Sequence, residues 1–239
     1  MTADLFDAGS MYDDDYLYFF APADGRSEFA AHGPTVPGTQ LPGAAAADLA
    51  NQLAARGGQI TGLDSSAVFL DRARADAAAA GVSIEYVAGD MREIGRAGQF
   101  DRIVNWSTAF GYFDDDTNRA VLDGIARALR PGGRLAMDLD NLTRFLASYT
   151  PSRVVAAKDN GDMLVDRYHL DALTSRFEAE RTVIRGGRSR PLNFVKRLFG
   201  YPELRDWLLA AGFRTVNGYG EDGQPLTSQH QRMIMVASR

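Results

Sequence analysis

The sequence predicts an α/β protein with a doubly wound, mostly parallel sheet that carries an antiparallel β insert. Through residue 140, short apolar strands alternate with helical segments, a pattern typical of parallel sheets. After residue 150, strand-like segments are joined by turn sequences such as "RGGR" (185–188), as in antiparallel hairpins. With 239 residues, 45% of them hydrophobic, the chain is long enough to bury a sizeable core.

The first 43 residues divide into two segments. Residues 1–21 form an acidic, aromatic leader whose aromatic side chains recur at helical spacings of three and four, at Tyr12, Tyr16, Phe19 and Phe20. Residues 22–43 contain four prolines and several glycines without a period, which predicts a loop.

Residues 44–140 contain the alternating elements. Alanine content predicts the first helix, Ser65 and Ser66 predict the cap of the second, and Gly57 and Gly81 predict where these helices stop. In order, we expect a helix over 44–56, a strand over 60–63, a helix over 66–80, strands over 84–88 and 102–106, a helix over 115–129, and a strand that begins in "LRPGGRLAMDLD" (129–140).

The remainder of the chain predicts the insert and a closing helix and strand. Strand-like segments occupy 153–158, 162–169, 176–186 and 189–198. "GYPELRDWLLAAGF" (200–213) predicts a helix with Pro202 near its first turn and Gly212 at its end, followed by a turn at Gly218–Gly223 and a last strand, "RMIMVAS" (232–238). No repeat or linker interrupts the sequence, so we expect one domain over 1–239.

Composition excludes several classes of function. The net charge of −5 disfavours sequence-independent binding to nucleic acid, which needs a basic face. The absence of cysteine excludes disulfides and thiolate chemistry. No apolar run is long enough for a membrane span, and the acidic N-terminus lacks the features of a signal peptide. We expect a cytoplasmic protein that binds neither nucleic acid nor membrane, and the sequence does not decide between a monomer and a homodimer.

Five motifs together resemble the class I S-adenosylmethionine-dependent methyltransferases, specifically the actinomycete-type branch that acts on small molecules. They are "ITGLDSS" (60–66), "VAGDMRE" (87–93), "FDRIVNWSTAFGYF" (100–113), "ALRPGGRLAMDLDN" (128–141) and "RLFGYPELRDWLLAAGFRTVNGYGEDGQPL" (197–226). The resemblance implies a Rossmann-like fold, S-adenosylmethionine as cofactor and a small-molecule substrate. It divides the domain into a lid (1–21), an aberrant loop (22–43), a cofactor-binding core (44–140), a substrate-side insert (150–198) and a C-terminal helix and strands (199–239).

The resemblance also implies cofactor-binding residues. Asp64, flanked by Leu63 and Ser65, would accept hydrogen bonds from the ribose hydroxyls, and an ionised carboxylate suits this because it only accepts. Asp90 would bind the adenine amino group with Met91 packed on the ring, and Asn105 and Trp106 would lie near the methyl group. The alternative roles are a helix cap for Asp64 and an Asx-turn for Asp90.

On the substrate side, the resemblance implies that Phe110 and Tyr112 line the floor of the site and that Tyr12, Tyr16, Phe19 and Phe20 cover it. The alternative is that these aromatic residues only pack in the core. His169, in the insert, is the best candidate for a general base among the three histidines, and Tyr112 is a second catalytic candidate. The alternative for His169 is an exposed position on a strand. No spacing of histidines and acids predicts a metal site.

One motif of the family is missing. The pattern D-x-x-x-G-x-G should precede the first helix, but its glycine positions fall on about Ala45 and Ala47, and "HGPTVPGTQLPG" (32–43) replaces the expected apolar strand. An alanine at positive φ would cost about 1–2 kcal/mol and block the approach of a cofactor.

Three explanations stay open. The helix N-terminus binds the cofactor carboxylate instead, or the fold is kept without methyl transfer, or the reading frame is locally disrupted. The two functions that follow are methyl transfer to nitrogen, oxygen or carbon of a small molecule, and a non-methylating role for the same fold. A dehydrogenase is disfavoured because its glycine fingerprint is absent.

Overall fold

A computed structural model describes Asp15, residues 44–157 and residues 160–239. The helices are α1 (Ala44–Ala55), α2 (Ala67–Ala79), α3 (Asp115–Ala128), α4 (Leu142–Ala147) and α5 (Tyr201–Ala210), with a 3₁₀ turn at Met91–Glu93. The strands are β1 (Thr61–Asp64), β2 (Glu85–Ala88), β3 (Phe100–Asn105), β4 (Leu129–Asp140), β5 (Ser152–Ala157), β6 (Asp162–Asp171), β7 (Arg176–Arg185), β8 (Arg188–Arg197), β9 (Thr215–Tyr219) and β10 (Arg232–Ser238). In this part of the chain, no helix is long and apolar enough to cross a membrane.

The strands before the insert are parallel, as predicted. β1 pairs with β2, and β3 pairs with β4 in a second sheet of order β3-β4-β10-β9, in which β10 runs antiparallel to both neighbours. Among the described residues no strand pairs β1 with β3. The two sheets meet instead through buried side chains that include Leu53 of α1, Ile60 before β1 and Val104 of β3. The predicted alternation is therefore confirmed, while the expected first strand lies outside the described residues.

Local signals fix the helix ends. The Ser66 hydroxyl caps α2 by accepting from the Phe69 amide at 3.2 Å, and the Asp114 carboxylate caps α3 by accepting from the Thr117 amide at 2.8 Å. Gly57 and Gly81 have positive φ at the ends of α1 and α2, as the sequence predicted. α3 and α5 pack against the four-stranded sheet and bury the largest core of the protein.

The insert is a four-stranded antiparallel sheet in the order β5-β6-β7-β8, which confirms the predicted hairpins. Its residues alternate between faces: Leu164 and Asp166 are buried, whereas Arg167 and His169 are exposed. The hairpin between β7 and β8 also reaches the leader, because its arginine side chains bind both carboxylate oxygens of Asp15. The two N–O distances are 2.8 Å from Arg185 and 2.7 Å from Arg190.

Two elements were not predicted, and the turn predicted at Gly218–Gly223 was placed too early, because Gly218 belongs to β9. Helix α4 and strand β9 have no counterpart in the sequence-based assignment. β4 contains an excursion at Pro131, where the register with β3 jumps from the Phe100–Leu129 pair to the Arg102–Arg134 pair.

Candidate functional site

Asp64 and Asp90, which are predicted to bind the ribose and the adenine, lie side by side at the carboxyl ends of β1 and β2. The Gly89 amide donates to the Asp64 carbonyl at 3.0 Å, and a Cβ on Gly89 would come within 2.8 Å of the Leu63 side chain. The Asp64 carboxylate is half-buried and accepts from the Ser66 amide at 2.8 Å. This is the helix-capping role considered as the alternative. It is compatible with ligand binding, because each carboxylate oxygen carries two lone pairs.

Asp90 is held mainly by Arg92. Its carboxylate accepts from the Arg92 amide at 2.8 Å and from the Arg92 guanidinium at 2.7 and 3.0 Å. Burial acts to raise the pKa of Asp90, but the hydrogen bonds and charge of Arg92 outweigh it and hold that pKa below its ordinary value. The same guanidinium lies 4.7 Å from the centre of the Phe113 ring, so the loops after β2 and β3 meet here. Met91 packs against the main core.

The end of β3 carries an unsatisfied polar atom. Asn105 is 7% exposed, and its Oδ1 is buried with no hydrogen-bond partner among the described residues. Trp106 is half-buried and packs against the cluster that joins the two sheets. Because buried polar atoms are nearly always hydrogen-bonded, an orphaned acceptor at a strand end indicates a missing partner.

The residues that follow β3 have a strained backbone. Ser107 and Thr108 have φ of 54° and 57°, although neither is glycine. Their amides both donate to Asp138 of β4: Ser107 to its carboxylate at 3.0 Å and Thr108 to its carbonyl at 2.9 Å. Consecutive positive φ values in non-glycine residues are uncommon, and such strain tends to cluster at functional sites.

A buried ionic network supports this turn, and sequence reasoning missed it. The Arg232 guanidinium donates to Asp138 at 2.7 Å, to Asp140 at 2.6 Å and to the Thr108 hydroxyl at 2.8 Å. Lys196 of the insert donates to the second Asp140 oxygen at 2.8 Å. The signal that could have found the network is the pair of acids in "DLD" at the end of an apolar strand, because alternate residues share one face.

Burial and pairing move the pKa values in this network in opposite directions. Burial raises the pKa of Asp138 above its ordinary value, and Arg232 and the Ser107 amide offset only part of that effect. For Asp140, burial also acts to raise the pKa, but the charges of Lys196 and Arg232 outweigh it and lower the pKa. Burial acts to lower the pKa of Arg232, and the two carboxylates more than reverse this.

The predicted substrate residues do not all come together. Tyr112 packs on the buried face of the insert with Leu164 and Leu192, which is consistent with a position between the core and the insert. Phe110 is fully buried against Phe199 in the main core, with ring centroids 5.4 Å apart, so it is placed as a core residue. His169 is exposed on the opposite face of β6 from Asp166. The structure therefore brings neither Phe110 nor His169 into the site.

The remaining predicted residues are placed as follows. Ser65 is exposed and Leu63 is half-buried beside Asp64. Ala45 and Ala47 belong to the first turn of α1, so the cost expected for alanine at positive φ does not arise. The aromatic residues of the leader, Tyr12, Tyr16, Phe19 and Phe20, lie outside the described residues. Within the described ranges, no group of three or more acids and histidines is arranged to hold a metal ion.

Comparison with known proteins finds similarity to methyltransferases. A family model described as "Methyltransferase domain" matches residues 42–133. The chain is similar in structure to the CcbJ methyltransferase from Streptomyces caelestis, with a TM-score of 0.73 and 20% identity over 97% of this chain and 98% of that one. It is also similar to S-adenosylmethionine-bound CalS10, an amino pentose methyltransferase from Micromonospora echinaspora (TM-score 0.57, 21% identity, 88% and 86% coverage).

A third similar structure is the sugar N-methyltransferase KedS8 from Streptoalloteichus (TM-score 0.58, 18% identity, 97% and 87% coverage). A sequence search of curated proteins gave no match. At these identities, the structural neighbours establish the fold, and the domain match links residues 42–133 to methyl transfer.

Proposed function

We propose that this chain is a class I, S-adenosylmethionine-dependent methyltransferase that methylates a nitrogen, oxygen or carbon atom of a small molecule, and its domain match and its fold support this proposal. The observation that carries the proposal is the domain match combined with the strand ends within it. Residues 42–133 include Asp64, Asp90 and Asn105, all of which follow or end parallel strands. Similar proteins that act on an amino pentose and a sugar nitrogen support a small polar acceptor.

The residues present fit the cofactor. The orphaned Asn105 Oδ1 is a buried acceptor, and the ammonium group on the methionine end of S-adenosylmethionine is a donor that would satisfy it. Asp64, whose carboxylate accepts from the Ser66 amide, ends β1 and would also accept from the ribose hydroxyls. A side chain on Gly89 would displace the end of the Leu63 side chain next to Asp64. When bound, the cofactor supplies a methyl group activated by a sulfonium.

The residues of this chain would then act by orientation and exclusion of water. Alignment of the two reactants removes a large part of the activation free energy of a displacement reaction. A rigid strand edge and a closed pocket are therefore the main requirements. A general base is needed only when the acceptor carries a proton at neutral pH. Since His169 is exposed on the face of β6 opposite the buried Asp166, we propose that the reaction does not use it as a general base.

Calorimetric titration with S-adenosylmethionine and with its demethylated product S-adenosylhomocysteine tests the proposal. We expect binding by the wild-type protein and a loss of about tenfold or more in Asp64→Asn, because a hydrogen bond to a charged group contributes about 1.5–3 kcal/mol. Asp101→Asn is the matched control, since Asp101 is exposed and pairs only with Arg130 among the interactions described. Absence of heat with both compounds on folded protein would reject the proposal.

A second experiment separates binding from methyl transfer. A panel of amino sugars, hydroxylated sugars and phenols is incubated with the protein and isotopically labelled S-adenosylmethionine, and label transfer is measured. Transfer to any member identifies the acceptor class. Binding of the cofactor without transfer to any acceptor, and without slow hydrolysis of the cofactor, would favour the non-methylating role instead.

A further inference from the structure

The strained turn after β3 occupies a defined place in the proposed site. Ser107 and Thr108 directly follow Asn105 and Trp106, the residues expected nearest to the transferred methyl group. Positive φ in non-glycine residues costs conformational free energy and persists only where surrounding contacts over-determine it. Among the described residues, Ser175 is the only other non-glycine residue with positive φ, and it lies in the turn between β6 and β7. The turn after β3 therefore needs a specific restraint.

Asp138 supplies that restraint through three contacts. Its Oδ2 accepts from the Ser107 amide at 3.0 Å, its carbonyl accepts from the Thr108 amide at 2.9 Å, and its Oδ1 accepts from Arg232 at 2.7 Å. The residue is 1% exposed, so water does not compete for these bonds. Arg232 adds a bond of 2.8 Å to the Thr108 hydroxyl, so both turn residues are held from the same side.

The restraint extends to the insert. Arg232 also binds Asp140, and Lys196 of β8 binds the other oxygen of Asp140. The side chain of Lys196 is 12% exposed and that of Arg232 is 14% exposed. A continuous chain of ion pairs thus connects the insert, which is expected to wall the substrate pocket, to the turn beside the expected methyl site.

We propose that Asp138 and Arg232 are positioning residues for methyl transfer, which hold the Ser107–Thr108 turn so that Asn105 and Trp106 face the cofactor. This inference rests on the proposed function. Neither residue touches the reacting atoms in the proposal. They act through the backbone of the turn.

Asp138→Asn is the direct test, because it keeps the size of the side chain while it removes the charge that pairs with Arg232. We expect kcat to fall by about tenfold to a hundredfold, as displacement of reacting groups by about 1 Å does, with a smaller change in S-adenosylhomocysteine affinity. Asp101→Asn makes the same change at an exposed acid of the neighbouring strand β3 and should leave kcat unchanged. A kcat within twofold of wild type in Asp138→Asn would overturn the proposal.

A rescue experiment distinguishes positioning from general destabilisation. Glycine adopts positive φ as readily as negative φ, so Ser107→Gly with Thr108→Gly in the Asp138→Asn background should restore part of the lost kcat. Recovery of thermal stability without recovery of kcat would overturn the proposal. Should Asp138→Asn fail to fold, Arg232→Lys serves in its place, because an ammonium does not reproduce the fork that binds Asp138, Asp140 and Thr108 together.

A fluorescence readout is independent of methyl transfer. The sequence has two tryptophans, Trp106 and Trp207, so Trp207→Phe leaves Trp106 as the single reporter beside the turn. We expect Asp138→Asn to shift the emission of Trp106 in this background, and an unchanged emission would overturn the proposal. If the wild-type protein bound no cofactor, the proposed function would fail, and the Trp106 emission would still decide whether Asp138 holds the turn.

Discussion

The substitution Gly111→Ala tests how the core and the insert are joined. Gly111 lies in the loop between β3 and α3 with φ of +105°, and its carbonyl accepts from the Arg197 amide at 2.7 Å. A Cβ at this position would come within 2.5 Å of the Arg197 carbonyl oxygen and 3.3 Å of the Phe199 ring. The nearest obstacle is backbone at the end of β8, so it cannot turn away as a flexible side chain could.

The expected loss has two parts. An alanine in the left-handed region costs about 1–2 kcal/mol, and the forced displacement of a packed neighbour costs about 1–3 kcal/mol. The sum, about 2–5 kcal/mol, is a large share of the about 5–15 kcal/mol that stabilises a typical domain. Equilibrium unfolding in urea measures it as a lower midpoint at unchanged slope.

Two matched glycine substitutions separate these parts. Gly57 has φ of +87° and open space around it, so Gly57→Ala should show the backbone cost alone, about 1–2 kcal/mol. Gly124 lies inside α3 with Arg127 3.8 Å away, so Gly124→Ala should stabilise the protein by about 0.5–1 kcal/mol. If Gly111→Ala proved no more destabilising than Gly57→Ala, the close contact between the loop and β8 would not restrain the fold, and the reasoning would be refuted.

Two further predictions concern α1 and the insert. The double substitution Ala45→Gly and Ala47→Gly should lower the free energy of unfolding by up to about 1 kcal/mol per site, because both residues lie in α1. Calorimetric titration should show no gain in cofactor affinity. A gain in affinity would instead favour a glycine turn at these positions. Burial and the hydrogen bond to Asp166 raise the pKa of Tyr168 to about 12. Because the folded state favours the neutral phenol, the stabilisation that Tyr168 contributes is complete below pH 10 and is lost between pH 10 and 12. Urea titrations at each pH should therefore show that the wild-type protein loses more stability over this range than Tyr168→Phe. Equal losses would contradict the raised pKa of Tyr168.

The elements with strong local signals were predictable. The alanine-rich α1, the serine cap of α2 and the apolar β10 lie within a residue or two of their predicted bounds, since cap, propensity and periodicity agree at each. α4 was missed because it has only six residues and no side-chain cap bond. β9 was missed because its centre, Asn217-Gly218, disfavours strands. It forms because β10 provides pairing partners and the Tyr201 ring covers Gly218.

The site was only partly predictable. Asp64, Asp90 and Asn105 follow from strand ends that are visible in the sequence. The contact of Arg232 with Asp138 spans 94 residues, so the sequence shows the acids of "DLD" but does not identify Arg232 as their partner. Alternation along β6 predicts that His169 lies on the face opposite the buried Asp166, as the structure has it. The sequence did not decide the position of Phe110, because an aromatic residue that follows a strand can pack in the core or line a pocket.

Within the described residues, the parallel strands that carry the candidate site residues belong to two different sheets. Asp64 belongs to the pair β1–β2, and Asn105 and Asp138 belong to the four-stranded sheet. In the described part of the chain these two sheets share side-chain contacts and no ladder of backbone bonds, so we expect a bound ligand that contacts both to link them. Binding of such a ligand should therefore slow amide hydrogen exchange in β1 and β2.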